Sequence, residues 1–360
     1  MASARSEILA RRVIDFMATV AASRAVHLTC STAASLCAAA ILPWLIAIVG
    51  CSGSATRPVD QRPRFAFIVN VPTDRFWDIA YAGCLTAAKE EGVIVEFHAP
   101  NESTAQQQKQ IVEALLSRGI DGIAISPLNP DSLSLVLDTA AEICPVICQD
   151  SDAERSKRAC FIGTDNVELG RQMGALIKQA LPDGGKVALL VGQLDVANAR
   201  QRQQGVLEAL EGSNLEVIGT FTDGAQPAEA KRVATDLLAK YPDIKGIVGL
   251  WGYNAPQAVN ALQGNPGRTV QIVGSDESVE TCRYIRLGAE FGSVAQQPFE
   301  FGYLSVKMLA KLHRGEAADI PDNKTVFVDT YVITRDNVDQ IEQDIAEKLS
   351  LLEELREYGG

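Results

Sequence analysis

Phe65-Ala-Phe-Ile-Val-Asn-Val-Pro-Thr-Asp-Arg-Phe-Trp-Asp78 decides the fold. Its first five residues are one unbroken apolar run. A strand with one wet face alternates apolar and polar residues, whereas an unbroken run suits a strand covered on both faces, as in a parallel sheet. A polar, Pro-containing loop follows, and residues 78–91 then have helical spacing and stop at Gly92.

Working outward, the same unit recurs. Strands are expected at 93–97, 122–126, 145–148 and 160–163, with helices at 104–118 and 130–143 between them. A second set begins with a helix at 167–180. Strands at 186–191, 216–221, 246–250, 270–274 and 291–295 then alternate with helices at 199–210, 228–240, 255–262, 279–287 and 298–313. Two successive sets of βα units predict an α/β protein with two doubly wound parallel-sheet lobes. Residues 337–360 are highly charged, with Ile, Leu and Val at helical intervals. They are expected to form a peripheral amphipathic helix that caps a lobe or reaches a partner.

On the N-terminal side, residues 33–49 are almost entirely apolar, follow Arg5, Arg11, Arg12 and Arg24, and run into Gly50-Cys51. That is the form of a lipoprotein cleavage site. The reading makes 1–50 a signal peptide, Cys51 the lipidated first mature residue and 51–63 a polar tether. The competing reading is a retained membrane helix. Against it, the run is slightly short of the about 20 residues a span needs, and Pro43 interrupts it.

The 360 residues carry a formal net charge of −12, and no basic cluster follows the signal. Nucleic acid and anionic lipid surfaces are therefore poor partners. Of eight cysteines, Cys30 and Cys37 lie in the signal and Cys51 is assigned to lipid. Cys84, Cys144, Cys148, Cys160 and Cys282 remain. An odd number cannot form a complete disulfide framework, and the spacing is not a zinc pattern. Buried thiols or a single disulfide are the readings left.

Ligands of open α/β sheets gather at the carboxyl ends of the strands. Asn70, Asp74, Phe76 and Trp77 follow the first strand, and Gln149, Asp150 and Ser151 the fourth. In the second set come Asn198 and Arg202, then Trp251, Tyr253 and Asn254, then Ser275, Asp276 and Glu277, and finally Gln296 and Gln297. Carboxylates and amides hydrogen-bond hydroxyls, and aromatic rings cover the C–H faces of a sugar. The inventory suits a neutral polyol or sugar. Phosphate-loop, dinucleotide, nucleophile-elbow and metallopeptidase motifs are absent, so no enzyme, metal or cofactor is expected. Asp150 and Asp276 could form a glycosidase pair in principle, but nothing in the sequence sets the required separation.

At this point the chain resembles the periplasmic sugar-binding proteins of the ribose-binding type, the substrate receptors of ABC importers, over residues 64–335. Eight motifs in order carry the resemblance. They are the opening stretch, Gly119-Ile-Asp-Gly-Ile-Ala-Ile-Ser-Pro, Pro145-Val-Ile-Cys-Gln-Asp, Ile162-Gly-Thr-Asp-Asn, Asn198-Ala-Arg-Gln-Arg-Gln-Gln-Gly, Tyr241-Pro-Asp-Ile-Lys-Gly-Ile-Val, Ile272-Val-Gly-Ser-Asp and Val294-Ala-Gln-Gln-Pro.

The resemblance implies a periplasmic binding protein type I fold with a three-stranded hinge and the ligand between the lobes. The N-terminal lobe would take 64–164 and 297–322, and the C-terminal lobe 165–296 and 323–336. The third crossing is expected around 321–328. The implied ligand residues are Asn70, Asp74, Phe76, Trp77, Asp150, Ser151, Asn198, Arg202, Trp251, Ser275, Asp276 and Gln296. Four departures leave open a pentose, hexose, polyol or furanose ligand. Ser151 replaces an Arg, Trp251 replaces an Asn, and Ser275 and the loop 223–226 lack expected aromatics. The implied partners are a sugar-like small molecule, a membrane ABC permease and, through the lipid, the membrane. The implied state is an extracytoplasmic monomer. A sensor that presents its closed form to a membrane kinase or chemoreceptor is the alternative.

Overall fold

The computed structural model describes residues 60–71, 75–194, 196–265 and 267–359. The signal, the lipidation call at Cys51 and the ligand call at Asp74 lie outside the described residues. No helix among the described residues is long and apolar enough to cross a membrane.

The first sheet contains β1 (Arg64–Ile68), β2 (Ile94–His98), β3 (Gly122–Ile125), β4 (Val146–Gln149), β5 (Cys160–Gly163) and β11 (Thr325–Phe327). Its order is β2-β1-β3-β4-β5-β11, parallel throughout. The second contains β6 (Gly185–Val191), β7 (Leu215–Thr222), β8 (Ile244–Gly249), β9 (Gln271–Ser275), β10 (Gly292–Ala295) and β12 (Tyr331–Ile333), ordered β7-β6-β8-β9-β10-β12. Only β12 runs antiparallel to its neighbour. The two lobes are thus doubly wound in the same strand order. Phe65, Phe67 and Ile68 of the central β1 are wholly buried, as the apolar run requires.

The first lobe's helices are α1 (Arg75–Glu91), α2 (Ala105–Arg118), α3 (Pro130–Ala141) and α9 (Pro298–His313). The second has α4 (Asn166–Ala180), α5 (Ala197–Leu210), α6 (Pro227–Lys240), α7 (Asn254–Gln263) and α8 (Val279–Leu287). Their starts follow local chemistry. Thr104 accepts from the Gln107 amide, Asn129 from Ser132 ahead of Pro130, and Asp165 from Val167 and Glu168. Two helix pairs pack backbone to backbone. A Cβ on Gly302 of α9 would lie 1.9 Å from the Ala80 oxygen of α1, and one on Gly205 of α5 1.9 Å from the Val167 oxygen of α4. Only glycine permits that approach. It sets α1 and α5, which carry site residues, against their sheets.

One expected boundary is corrected. The sequence places residues 323–327 in the C-terminal lobe, but β11 pairs with β5 in the first sheet, Thr325 opposite Phe161. The Phe161 amide donates to the Lys324 oxygen, and buried Arg158 donates to the same oxygen while paired with Asp152. The open edge of β5 takes this segment, so the last crossing is at 328–330. The helix expected at 337–360 is α10 (Val338–Glu354), followed by a single 3₁₀ turn (Arg356–Tyr358). It rests on both lobes rather than capping one. The five described cysteines are buried and free.

Candidate ligand-binding site

The strand ends of both lobes open on one cavity of about 760 Å³, within the range of small-molecule sites. The lobes mirror one another there. β4 and β9 occupy equivalent places in their sheets, and each is followed by an aspartate in the left-handed backbone region, Asp150 at φ 59° and Asp276 at φ 61°. The Asp150 amide donates to the Ile162 oxygen of β5, and the Asp276 amide to the Val294 oxygen of β10. An αL turn is costly for a residue with a Cβ, and such strain collects at functional sites.

In the first lobe, Oδ2 of Asp150 accepts from Ser126 Oγ at 2.7 Å, Asn70 Nδ2 at 3.3 Å and Ser151 Oγ at 3.3 Å. Oδ1 has no donor among the described residues. Burial pushes the Asp150 carboxyl up, opposed by Ser126 and by the Arg202 guanidinium of the other lobe. Asp276, also across the cleft, reinforces the rise. Phe76 lines the cavity, with its ring 4.9 Å from that of Trp77. Trp77 also borders it but is 4 % exposed and packs edge-on against Phe67 in the lobe core.

In the second lobe, Gln296 Nε2 donates to Asp276 Oδ1 at 2.8 Å, and Arg202 Nη1 lies 3.9 Å from Oδ2. Arg202 is nearly buried and spends other donors on Asn166 Oδ1 and the Leu250 oxygen, both at 2.9 Å. It holds the Asp276 corner as well as lining the cavity. The Trp251 indole donates to Asn198 Oδ1 at 3.3 Å and covers Gly192, where a Cβ would fall 2.0 Å from the ring.

Asn70, Phe76, Trp77, Asp150, Asn198, Arg202, Trp251, Asp276 and Gln296 are thus brought to one cavity. Ser151 and Ser275 do not line it. Ser275 is buried behind Asp276 and donates to the Leu250 oxygen at 3.0 Å. Tyr253 and Glu277, noted at strand ends but not among the implied ligand residues, also line it, and so do Arg75, Gln257, Asn260 and Glu280, which sequence reasoning did not select. Tyr253 stands beside the loop 223–226 that lacks its own aromatic, and its hydroxyl donates to Asp223 at 2.7 Å. Glu277 stands half-buried beside Asp276, and desolvation, reinforced by the Asp276 charge, pushes its carboxyl up to about 8.

Two α/β lobes of equal topology, with polar anchors and aromatic walls from each facing one cleft, define a solute-binding protein of the two-lobed kind. The family profile described as "Periplasmic binding protein domain" matches residues 65–317, and the chain belongs to that family. The D-allose-binding periplasmic protein of Escherichia coli is 28% identical over 290 residues, covering 75% of this chain and 92% of the relative. The solved solute-binding protein of an ABC transporter from Burkholderia graminis, in complex with D-arabinose, aligns with a TM-score of 0.72 and 29% identity, over 78% of this chain and 97% of that one. The structure of a XylFII–LytSN complex aligns with a TM-score of 0.69 and 26% identity, over 76% and 98%.

Proposed function

We propose that this chain is a lipid-anchored extracytoplasmic receptor that captures one sugar or sugar-like polyol between its lobes and delivers it to the permease of an ABC importer. The observation that carries the reading is the pair Asp150 and Asp276, one per lobe, facing a single cavity walled by Phe76, Trp251 and Tyr253. Ionised carboxylates bind hydroxyls through charge-assisted bonds, and rings cover the apolar faces between them. Asn70, Asn198, Arg202 and Gln296 complete the proposed contacts, while Ser126 and Ser151 hold the Asp150 carboxylate in place. The sugars named for the relatives support the ligand class.

Ligand held by both lobes favours their closure, because all contacts are made together only in the closed form. The protein binds without turnover and acts as a monomer. A thermal-shift panel of ribose, allose, arabinose, xylose, galactose and xylitol tests the ligand class. A ligand at 100 times its Kd stabilises the fold by about 2.7 kcal/mol. At least one member is expected to raise Tm, and a flat panel contradicts the sugar reading. Cleavage of nitrophenyl glycosides above background would contradict binding without turnover. For the anchor, mass spectrometry should find lipid on Cys51 at the mature N-terminus, and Cys51→Ser should leave the precursor uncleaved. The neighbouring XylFII–LytSN complex favours a second reading, in which the closed form is presented to a membrane sensor. Adjacent genes for a permease and an ATPase would decide for import.

A further inference from the structure

Helix α10 lies wholly beyond residue 317, where the family match ends. Its 17 residues span about 25 Å. Its first half sits on the second lobe. Val338, Ile341 and Ile345 are buried with Cys282 and Ile285 of α8, and Arg286 pairs with Asp339 at 2.7 Å and with Glu342. Its second half sits on the first lobe. Leu352 and Leu355 are buried against Ala82 and Leu85 of α1, and Lys348 lies over the Phe299 ring of α9. Beyond the helix, Gly359 bridges to Val95 of β2. Ile79 of the first lobe and Ile285 of the second share one apolar cluster, which α10 covers.

The three interlobe crossings at 164–165, 296–297 and 328–330 are short extended links that can twist. A rigid helix docked on both lobes cannot follow their separation without leaving one of them. Its start is tied covalently to the second lobe through β12, so the contact that must give way is the one with α1. The helices it joins are among those that reach the cavity, α1 through Arg75 and Phe76 and α8 through Val279 and Glu280.

We propose that α10 is a strap across the hinge that holds the lobes together in the absence of ligand, and so sets the affinity and exchange rate of the cleft through Leu352 and Leu355. The statement about the cleft rests on the sugar-binding reading; the statement about the lobes does not. If the strap keeps most molecules closed, its loss lowers the closed fraction, and apparent affinity falls by that fraction.

The test is an interlobe distance measured by paired spin labels at Asp131→Cys on α3 and Glu229→Cys on α6, without sugar, in the full chain. The intact chain should give one short, narrow distribution. Leu352→Ala with Leu355→Ala, and a chain ending at Asp336, should each shift it to longer, broader distances. If the shortened chain does not fold, the double variant decides. Unchanged distances in a folded variant overturn the strap. In the same variants, whichever of D-ribose, D-allose, D-arabinose or xylitol binds the intact chain should bind about tenfold more weakly and dissociate faster. Unaltered affinity and rates despite longer distances overturn the strap's role at the cleft. If none of the four binds the intact chain, the sugar reading fails while the distances still decide the strap.

Discussion

Asp150 and Asp276 each accept a backbone conformation that disfavours an L-residue, and each is repaid by a carboxylate placed at a strand end. Stacking is the complementary contribution. Trp251→Ala should weaken sugar binding by about 1–3 kcal/mol, with base stacking as the nearest calibrated analogue, and calorimetry reads the change. A different carboxyl bears on stability. Glu290 is 1 % exposed, neither oxygen has a partner among the described residues, and burial pushes its pKa well above 4.5. The folded state then binds more protons than the unfolded one above about pH 4.5, so stability falls as pH rises. Glu290→Gln should raise Tm more at pH 8 than at pH 5, and parallel Tm–pH curves would contradict this origin. The site was legible where residues directly follow a strand, which is how both aspartates were found. Ser275 was misread because neighbouring residues on a strand face opposite ways, so the residue before Asp276 turns from the cavity. Gln257 and Asn260 went unseen because they lie one and two turns into α7, beyond any local strand-end signal.

The helices that bring site residues to the cleft depend on backbone contact at glycine. Gly205→Ala would gain about 1 kcal/mol of helix propensity but place its Cβ 1.9 Å from the Val167 oxygen, forcing α4 and α5 apart. Overpacking of that kind costs roughly 1–3 kcal/mol, so Tm should fall. Gly264→Ala, whose Cβ meets nothing nearer than 3.4 Å, should leave Tm within a degree or two of wild type, and equal effects from the two would contradict the packing argument. Most elements were legible because a parallel strand buried on both faces is an unbroken apolar run, as in Phe65 to Val69. β11 was not. Thr325-Val-Phe327 is three residues long, half-exposed, and defined only by the free edge of β5. No local pattern tells which lobe offers that edge. α10 was recognised by its period, but an apolar stripe does not say that two bodies share it.

At the scale of the molecule, two lobes of the same strand order each set one left-handed aspartate at the cleft. Ligand should draw a more open population into one compact form, and small-angle scattering of the full chain should show a smaller radius of gyration at saturation if that population exists without sugar. The strap predicts that this change is small in the intact chain and larger when Leu352 and Leu355 are alanine. The most direct test of capture between the lobes is isothermal titration of the sugar found by thermal shift into wild type, Asp150→Ala and Asp276→Ala. Removing either charged acceptor should cost roughly 2–4 kcal/mol, about 30- to 1000-fold in Kd. Comparable losses from both variants are the predicted result, whereas wild-type affinity in either one would mean that the ligand is held by a single lobe or elsewhere.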